Sequence, residues 1–172
     1  MRRNKYLLNY FSIALIAILF SSCSLMKNNK TERVELKVLN YGKSSAKLLY
    51  TEKSNEMPSG EKPTTDYKLN IIEVTDTIKL HKGVQFGIEY ILESPTTKLI
   101  TLTTIWTYPS IMKNNEGKMY EKVEYKIDKY TNQYTYSNYT LEEPYEMLPG
   151  KWNIKILYRD KVILDKNFYL VE

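Results

Sequence analysis

The sequence has little of the residues on which most catalytic and metal sites depend. Its 172 residues include one cysteine and one histidine. A single cysteine excludes a disulfide framework within the chain and any cysteine-based zinc site. A single histidine argues against a histidine-rich metal centre and against most acid–base machinery. The glycine-rich, zinc-protease and serine-hydrolase motifs are also absent. The sequence therefore predicts no catalytic residue, no metal and no cofactor.

The first 22 residues have the organisation of a secretion signal. Arg2, Arg3 and Lys5 precede an uncharged apolar run at 11–20. Ten helical residues at about 1.5 Å each cover only half of a hydrocarbon core of ~30 Å. This length is typical of a signal peptide, and an uncleaved anchor helix is the alternative interpretation.

Small residues and the only cysteine follow this run. Ser21 and Ser22 precede Cys23, an arrangement that resembles a bacterial lipoprotein signal. The resemblance implies that the signal is removed, that Cys23 receives a diacylglyceryl group and that the new amine is acylated. Two or more acyl chains anchor a protein stably in a bilayer. We therefore expect a signal peptide at 1–22, a lipidated tether at 23–30 and one folded domain at 31–172.

Net charge argues against nucleic acid as a partner. Lys and Arg total 25 and Asp and Glu total 20, and the signal holds three of the cations and no acid. Without the signal, 22 cations face 20 anions, which leaves a net charge of +2. Both signs are interspersed, as on an ordinary solvated surface.

From residue 31 onward the apolar residues alternate with a period of two, and no window shows a helical stripe. The clearest alternation lies at 34–38, 84–93, 119–128 and 152–158. Less regular strand-like segments lie at 67–80, 98–108, 131–141 and 162–170. Alternation with one polar face is typical of antiparallel sheets. The sequence predicts an all-β antiparallel sandwich of about seven to eight strands.

Glycine and proline mark the connections between these segments. Pro58, Gly60 and Pro63 predict a long loop at 42–65. His81 lies in a tight turn between lysines, so we expect a solvated side chain without a metal. Alternation in the 119–128 segment places Met119 on the inward face.

The chain from about residue 31 onward resembles a family of bacterial exported proteins known only as a domain of unknown function. The residues that carry the resemblance are Phe86, Gly87, Trp106, Pro109, Pro149, Gly150, Trp152 and Phe168. The resemblance implies an immunoglobulin-like β-sandwich over about 31–171, with no known activity, cofactor or catalytic residue. From the residues themselves, we expect Gly87 to admit a bulge or a large neighbour. We expect Trp152 and Phe168 to meet in the core of a hairpin.

Tyrosine is the one residue type in excess, with 16 in the chain. Tyr130, Tyr134 and Tyr136 share a parity and predict one exposed sheet face. Such a face would dock a protein partner or stack on sugar rings. The alternative interpretation is that tyrosine simply suits wet sheet faces.

Two further clusters are weaker candidates. Glu142, Glu143 and Glu146 form an acidic group, and paired carboxylates act in glycoside hydrolysis. Adjacent residues of a strand point to opposite faces, so we expect a polar loop and keep a hydrolase as a lesser alternative. The tripeptide at 76–78 resembles a short O-glycosylation signal of exported Bacteroidetes proteins, which implies modification at Thr77.

These observations favour a lipid-anchored, non-catalytic binding or accessory module in the envelope of a Gram-negative, Bacteroidetes-like bacterium. The membrane is the expected partner through Cys23, with a protein or glycan as the second partner. Ser24 and the lack of an acidic cluster after Cys23 favour the periplasmic side of the outer membrane. The main alternative is a surface carbohydrate-binding or adhesion lipoprotein that uses the tyrosine face.

Overall fold

The computed structural model describes residues 33–66 and 68–172. Within these ranges the chain forms eleven strands and one short 3-10 helix at Pro144–Glu146. The strands are β1 (Glu35–Ser45), β2 (Leu48–Lys53), β3 (Glu61–Thr65), β4 (Asn70–Glu73), β5 (Thr77–Lys79), β6 (Gln85–Glu93), β7 (Leu99–Lys113), β8 (Met119–Tyr130), β9 (Tyr134–Thr140), β10 (Gly150–Tyr158) and β11 (Lys161–Val171). The described ranges contain no helix long and apolar enough to cross a membrane. The predicted signal peptide at 1–22 and the predicted tether with Cys23 lie outside the described residues.

Nine strands form the two sheets of the sandwich. The four-stranded sheet has the order β4-β1-β6-β9, and the five-stranded sheet has the order β5-β11-β10-β7-β8. Neighbouring strands are antiparallel, except that the short β5 is parallel to β11. The all-β sandwich predicted from the alternation is therefore confirmed, with nine sandwich strands where seven to eight were expected.

The core lies between the two sheets and is built around Phe86 of β6. The Phe86 ring meets Trp106 of β7 at 5.7 Å between centroids, Trp152 of β10 at 5.8 Å and Phe168 of β11 at 5.1 Å. Trp152 and Phe168 are register partners across the β10–β11 hairpin, and both are fully buried. Edge-to-face ring pairs add about 0.5–1.5 kcal/mol each beyond the burial of apolar area. Both residues of the predicted pair therefore lie in the core, where each ring contacts Phe86.

Two glycines of the motif permit close approaches between strands. A Cβ on Gly87 would lie 2.7 Å from the Asn138 Cα of the neighbouring strand β9. The expected large neighbour of Gly87 is thus the backbone of β9 itself. Gly150 adopts a φ of +123°, and a Cβ there would lie 2.9 Å from the Pro109 Cβ. Gly150 follows Pro149 and begins β10. Its lack of a side chain therefore lets β10 lie close to Pro109 of β7.

The long loop predicted at 42–65 is wrong. β1 continues through Ser45, and β2 then pairs with β3 as a separate antiparallel hairpin in which Pro63 lies opposite Thr51. Every side chain of β2 is exposed, so no apolar period marked the strand. Proline is tolerated there because this hairpin has free edges.

The inward position predicted for Met119 is also wrong, because its side chain is 68% exposed. The register of the β7–β8 pair shifts between Thr107 and Met112. Such an irregularity changes the face to which the following residues point. Tyr120 packs partly buried against the core instead. His81 is exposed in its turn, as expected.

Candidate functional site

An open cavity of about 1230 Å³ lies along one edge of the sandwich. Its walls are the β2–β3 hairpin on one side and the edge strands β8 and β9 on the other. Eight tyrosines line it, half of the 16 in the chain: Tyr50, Tyr120, Tyr125, Tyr130, Tyr134, Tyr136, Tyr139 and Tyr145. We call this space the tyrosine cavity.

Two tyrosines of β9 fix the base of the hairpin. The Tyr136 hydroxyl donates to the Asp66 carbonyl oxygen at 2.5 Å and lies 2.5 Å from the Thr65 hydroxyl. The Tyr134 hydroxyl donates to Glu89 at 2.6 Å and accepts from the backbone N–H of Leu69 at 3.1 Å. Burial raises the pKa of Tyr134 and of Tyr136. Both hydroxyls therefore stay protonated at neutral pH and can donate.

The far part of the hairpin is held by weaker contacts. The Lys62 ammonium lies 5.4 Å from the centroid of the Tyr125 ring, within the range of a cation–π interaction. The Asn114 side chain donates to the Pro58 carbonyl oxygen at 3.0 Å. Burial raises the pKa of Tyr125 to about 12. The hairpin thus touches β8 at its tip and β9 at its base, and leaves the cavity between them.

Glu146 organises one end of the cavity. Its carboxylate accepts from the Tyr139 hydroxyl at 3.0 Å and from the backbone N–H groups of Glu142 and Glu143 at 2.7 and 2.8 Å. The residue is only 4% exposed, and burial raises the pKa of its carboxyl group. The expected polar loop is therefore wrong for Glu146, which is a buried cap that holds the 3-10 helix and Tyr139. In the described part of the chain, no cluster of three His, Cys, Asp or Glu residues has the geometry of a metal site.

The three tyrosines singled out from the sequence do not lie on one sheet face. Tyr130 ends β8 in the five-stranded sheet, whereas Tyr134 and Tyr136 lie on β9 in the four-stranded sheet. The turn at 131–133 separates the two strands. The alternation of side chains along one strand therefore does not continue into the other. All three nevertheless line the tyrosine cavity. Thr77 begins β5 with an exposed side chain.

Sequence reasoning missed the hairpin wall of the cavity, including Tyr50 and Lys62. The excess of tyrosine was the only signal for it, because tyrosines scattered over four segments converge on one space. Tyr125 packs partly buried against the core and also lines the cavity, because β8 lies at the edge of its sheet.

Comparison with protein families shows the family to which the chain belongs. The family described as a domain of unknown function, DUF3859, matches residues 32–170. The chain belongs to this family. The DUF3859 match covers all but the last residue of the sandwich strands and confirms the resemblance to a domain of unknown function. No curated protein matches the chain.

A solved structure supports the immunoglobulin-like fold of this DUF3859 domain. An immunoglobulin-like protein from Pseudomonas aeruginosa aligns over 83% of this chain and 100% of its own, with 19% identity and a TM-score of 0.59. An alkylpurine DNA glycosylase from Pseudomonas fluorescens aligns over 56% of this chain and 28% of its own, with 13% identity and a TM-score of 0.40. A β-D-glucoside glucohydrolase from Trichoderma reesei aligns over 81% and 19%, with 12% identity and a TM-score of 0.32. The first likeness shows the fold alone.

Proposed function

We propose that this DUF3859 protein is a lipid-anchored, non-catalytic binding module of a Gram-negative cell envelope, and that its ligand binds in the tyrosine cavity. The observation that carries the proposal is the convergence of eight tyrosines on one open cavity, where Tyr139 packs in the core and Tyr50, Tyr130 and Tyr134 are exposed. Tyrosine combines a large apolar ring with a polar tip and is enriched at binding surfaces. The volume of about 1230 Å³ exceeds the ~300–1,000 Å³ of ordinary small-molecule pockets, which favours a polymer as ligand.

A non-catalytic role is supported by the state of Glu146, the one buried carboxylate among the residues that the structure describes. All the hydrogen bonds of Glu146 go to Tyr139 and to the local backbone. A general acid or base needs to reach a substrate proton, and this carboxylate is already satisfied by three donors. The hydrolase interpretation of 142–146 therefore loses Glu146 as its acid or base.

The anchor rests on the sequence around Cys23. A positive segment, an apolar run of signal-peptide length and small residues precede this cysteine. We propose that acylated Cys23 holds the domain at the periplasmic face of the outer membrane. Metabolic labelling with a palmitate analogue tests the anchor. The full chain takes up label and partitions with membranes, and a Cys23→Ala chain that still takes up label would contradict the proposal.

The binding proposal is tested with two exposed tyrosines from opposite walls of the cavity. Tyr50 and Tyr130 are 54% and 51% exposed. A Tyr50→Ala/Tyr130→Ala variant removes ring surface without touching the hydroxyls that fix the hairpin. The full chain and the variant are compared on a glycan array and by crosslinking in cells, with Tyr169→Ala on β11 as the matched control. Loss of glycan or protein capture in the double variant alone supports the tyrosine cavity, and equal capture by all three chains opposes it.

If the captured ligand is a glycan, the result favours the alternative of a carbohydrate-binding or adhesion lipoprotein. Sugar rings stack on aromatic faces, and the cavity offers such faces beside the amide side chains of Asn138 and Gln133. If the captured ligand is a protein, the result favours an accessory module.

A further inference from the structure

Strand β9 has an unpaired edge without the usual protection against strand pairing. It pairs with β6 on one side and ends the four-stranded sheet on the other. Its seven residues, Tyr134–Thr140, include no charged residue and no proline. Natural sheets protect their edges with charges, prolines or very short strands, because a free edge accepts further strands.

The other sheet edges of the sandwich are protected. β4 has four residues and β5 has three. β8 is long, but six of its twelve residues are charged. Among the described edges of the two sheets, β9 is therefore the one suited to accept another strand.

The tyrosine cavity follows this edge along its whole length. All seven residues of β9 line it, including those that point to the core and those that point away. A cavity bounded by both faces of a strand runs beside its backbone. Seven residues at about 3.3 Å each give an edge of roughly 23 Å.

The free hydrogen-bonding groups can be located from the pairing at the end of β9. The Leu141 N–H donates to the Val84 carbonyl oxygen on the β6 side. Alternate residues of an antiparallel strand direct their backbone groups to the same side. The N–H groups of Tyr136 and Asn138 therefore face the cavity.

We propose that the tyrosine cavity binds an extended, cationic segment of a partner protein, which adds to β9 as a further strand. This inference rests on the proposed function of the cavity. Strand addition takes its affinity from main-chain hydrogen bonds and its specificity from alternate side-chain pockets. The hairpin of the same chain forms the opposite wall and stands in the way of the edge of a second sandwich.

The charge of the segment follows from the lining of the cavity. Eight acidic residues line it against four lysines. Asp66 and Glu61 lie on the hairpin side, and Glu142 and Glu143 lie beyond the end of β9. Charge complementarity across an interface selects partners of opposite sign. A basic segment with alternating side chains therefore fits this lining better than an acidic one.

The test uses a displayed library of random octapeptides, selected on the full chain in detergent micelles. We expect enriched peptides with more Lys and Arg than the starting library. A synthetic copy of an enriched peptide should lose affinity by about fivefold or more when alternate backbone nitrogens are methylated, because methylation removes donors from one edge. The Asn138→Pro variant should lose a similar factor, since it removes one donor from the free side of β9.

The methylated peptide keeps the test decisive if Asn138→Pro fails to fold. Unchanged affinity after methylation overturns strand addition, and enrichment of acidic peptides overturns the charge assignment. The inference is also overturned if the full chain forms a dimer that the Asn138→Pro variant does not form. Binding of oligosaccharides in place of peptides overturns it as well. Enriched peptides that bind the Tyr50→Ala/Tyr130→Ala variant as well as the full chain contradict the cavity itself, and hence the proposed function.

Discussion

Gly87 of β6 lies directly opposite Asn138 of β9, and the two backbones approach so closely that a Cβ on Gly87 would lie 2.7 Å from the Asn138 Cα. A side chain at Gly87 therefore has to push β9 away from β6. We expect Gly87→Ala to lower the free energy of unfolding by about 1–3 kcal/mol, as overpacking does. Denaturant titration measures the change.

The control for this variant is Gly83→Asn. Gly83 has a φ of +81°, which asparagine tolerates, and a Cβ there meets no atom within 4 Å. A loss of stability equal to that of Gly87→Ala would show that backbone freedom, and not the close approach of β9, explains the effect.

Phe86 lies within the aromatic core. Its ring contacts Trp106, Trp152 and Phe168, and all of these side chains are buried. We expect Phe86→Ala to lower the free energy of unfolding by about 3–5 kcal/mol. Tyr169→Ala, beside Phe168 but 44% exposed, should cost much less in the same titration. Similar losses in both variants would contradict the central position of Phe86.

Glu146 predicts a specific dependence of stability on pH. Burial raises the pKa of its carboxyl group above the ordinary value of 4.5 in the folded protein. The folded state then holds the proton more tightly than the unfolded state. The stabilisation from this group is complete below pH 4.5 and is lost as the pH rises through the folded pKa.

As the pH rises above 4.5, the free energy of unfolding of the wild-type chain should therefore fall relative to that of Glu146→Gln, whose side chain does not titrate. Denaturant titrations of both proteins between pH 4 and pH 8 measure the difference, since groups common to both cancel. A difference that stays constant or rises with pH would oppose a raised pKa at Glu146.

Tyr136 should control the attachment of the hairpin. Its hydroxyl donates to the Asp66 carbonyl at the base of β3. We expect Tyr136→Phe to make the amides of β2 and β3 exchange faster, by a factor that matches a lost hydrogen bond of about 1 kcal/mol. The exchange of β6 and β10 should stay unchanged.

Tyr130→Phe is the matched control for this experiment. Tyr130 also lines the cavity, and its side chain is 51% exposed at the end of β8. Faster exchange of the hairpin in Tyr130→Phe, or none in Tyr136→Phe, would argue against the Tyr136 hydroxyl as the attachment point.

The strands with one buried face could be predicted from the sequence because their alternation records that face. Phe86, Ile88 and Tyr90 are all fully buried on one side of β6, as their spacing indicated. The partnership of Trp152 with Phe168 followed from the same rule and from a short connection. A strand with one buried and one solvated face alternates apolar and polar residues, so its sequence shows a period of two.

The hairpin and the cavity could not be predicted in this way. The side chains of β2 are all exposed, so its sequence carries no amphipathic period. The tyrosine cavity depends on the position of β8 and β9 at the edges of two different sheets. Parity along the chain placed Tyr130 with Tyr134, whereas the turn between their strands sends them to separate sheets. Such placements depend on long-range pairing, which a local pattern does not contain.

The most direct test of the tyrosine cavity as the binding surface is site-specific photocrosslinking in cells. A photoreactive amino acid replaces Tyr130 in the cavity or Tyr169 on β11, two tyrosines of similar exposure at 51% and 44%. We predict a discrete crosslinked adduct from position 130 and none from position 169. Equal adducts from both positions, or adducts from position 169 alone, would contradict the cavity as the site of binding.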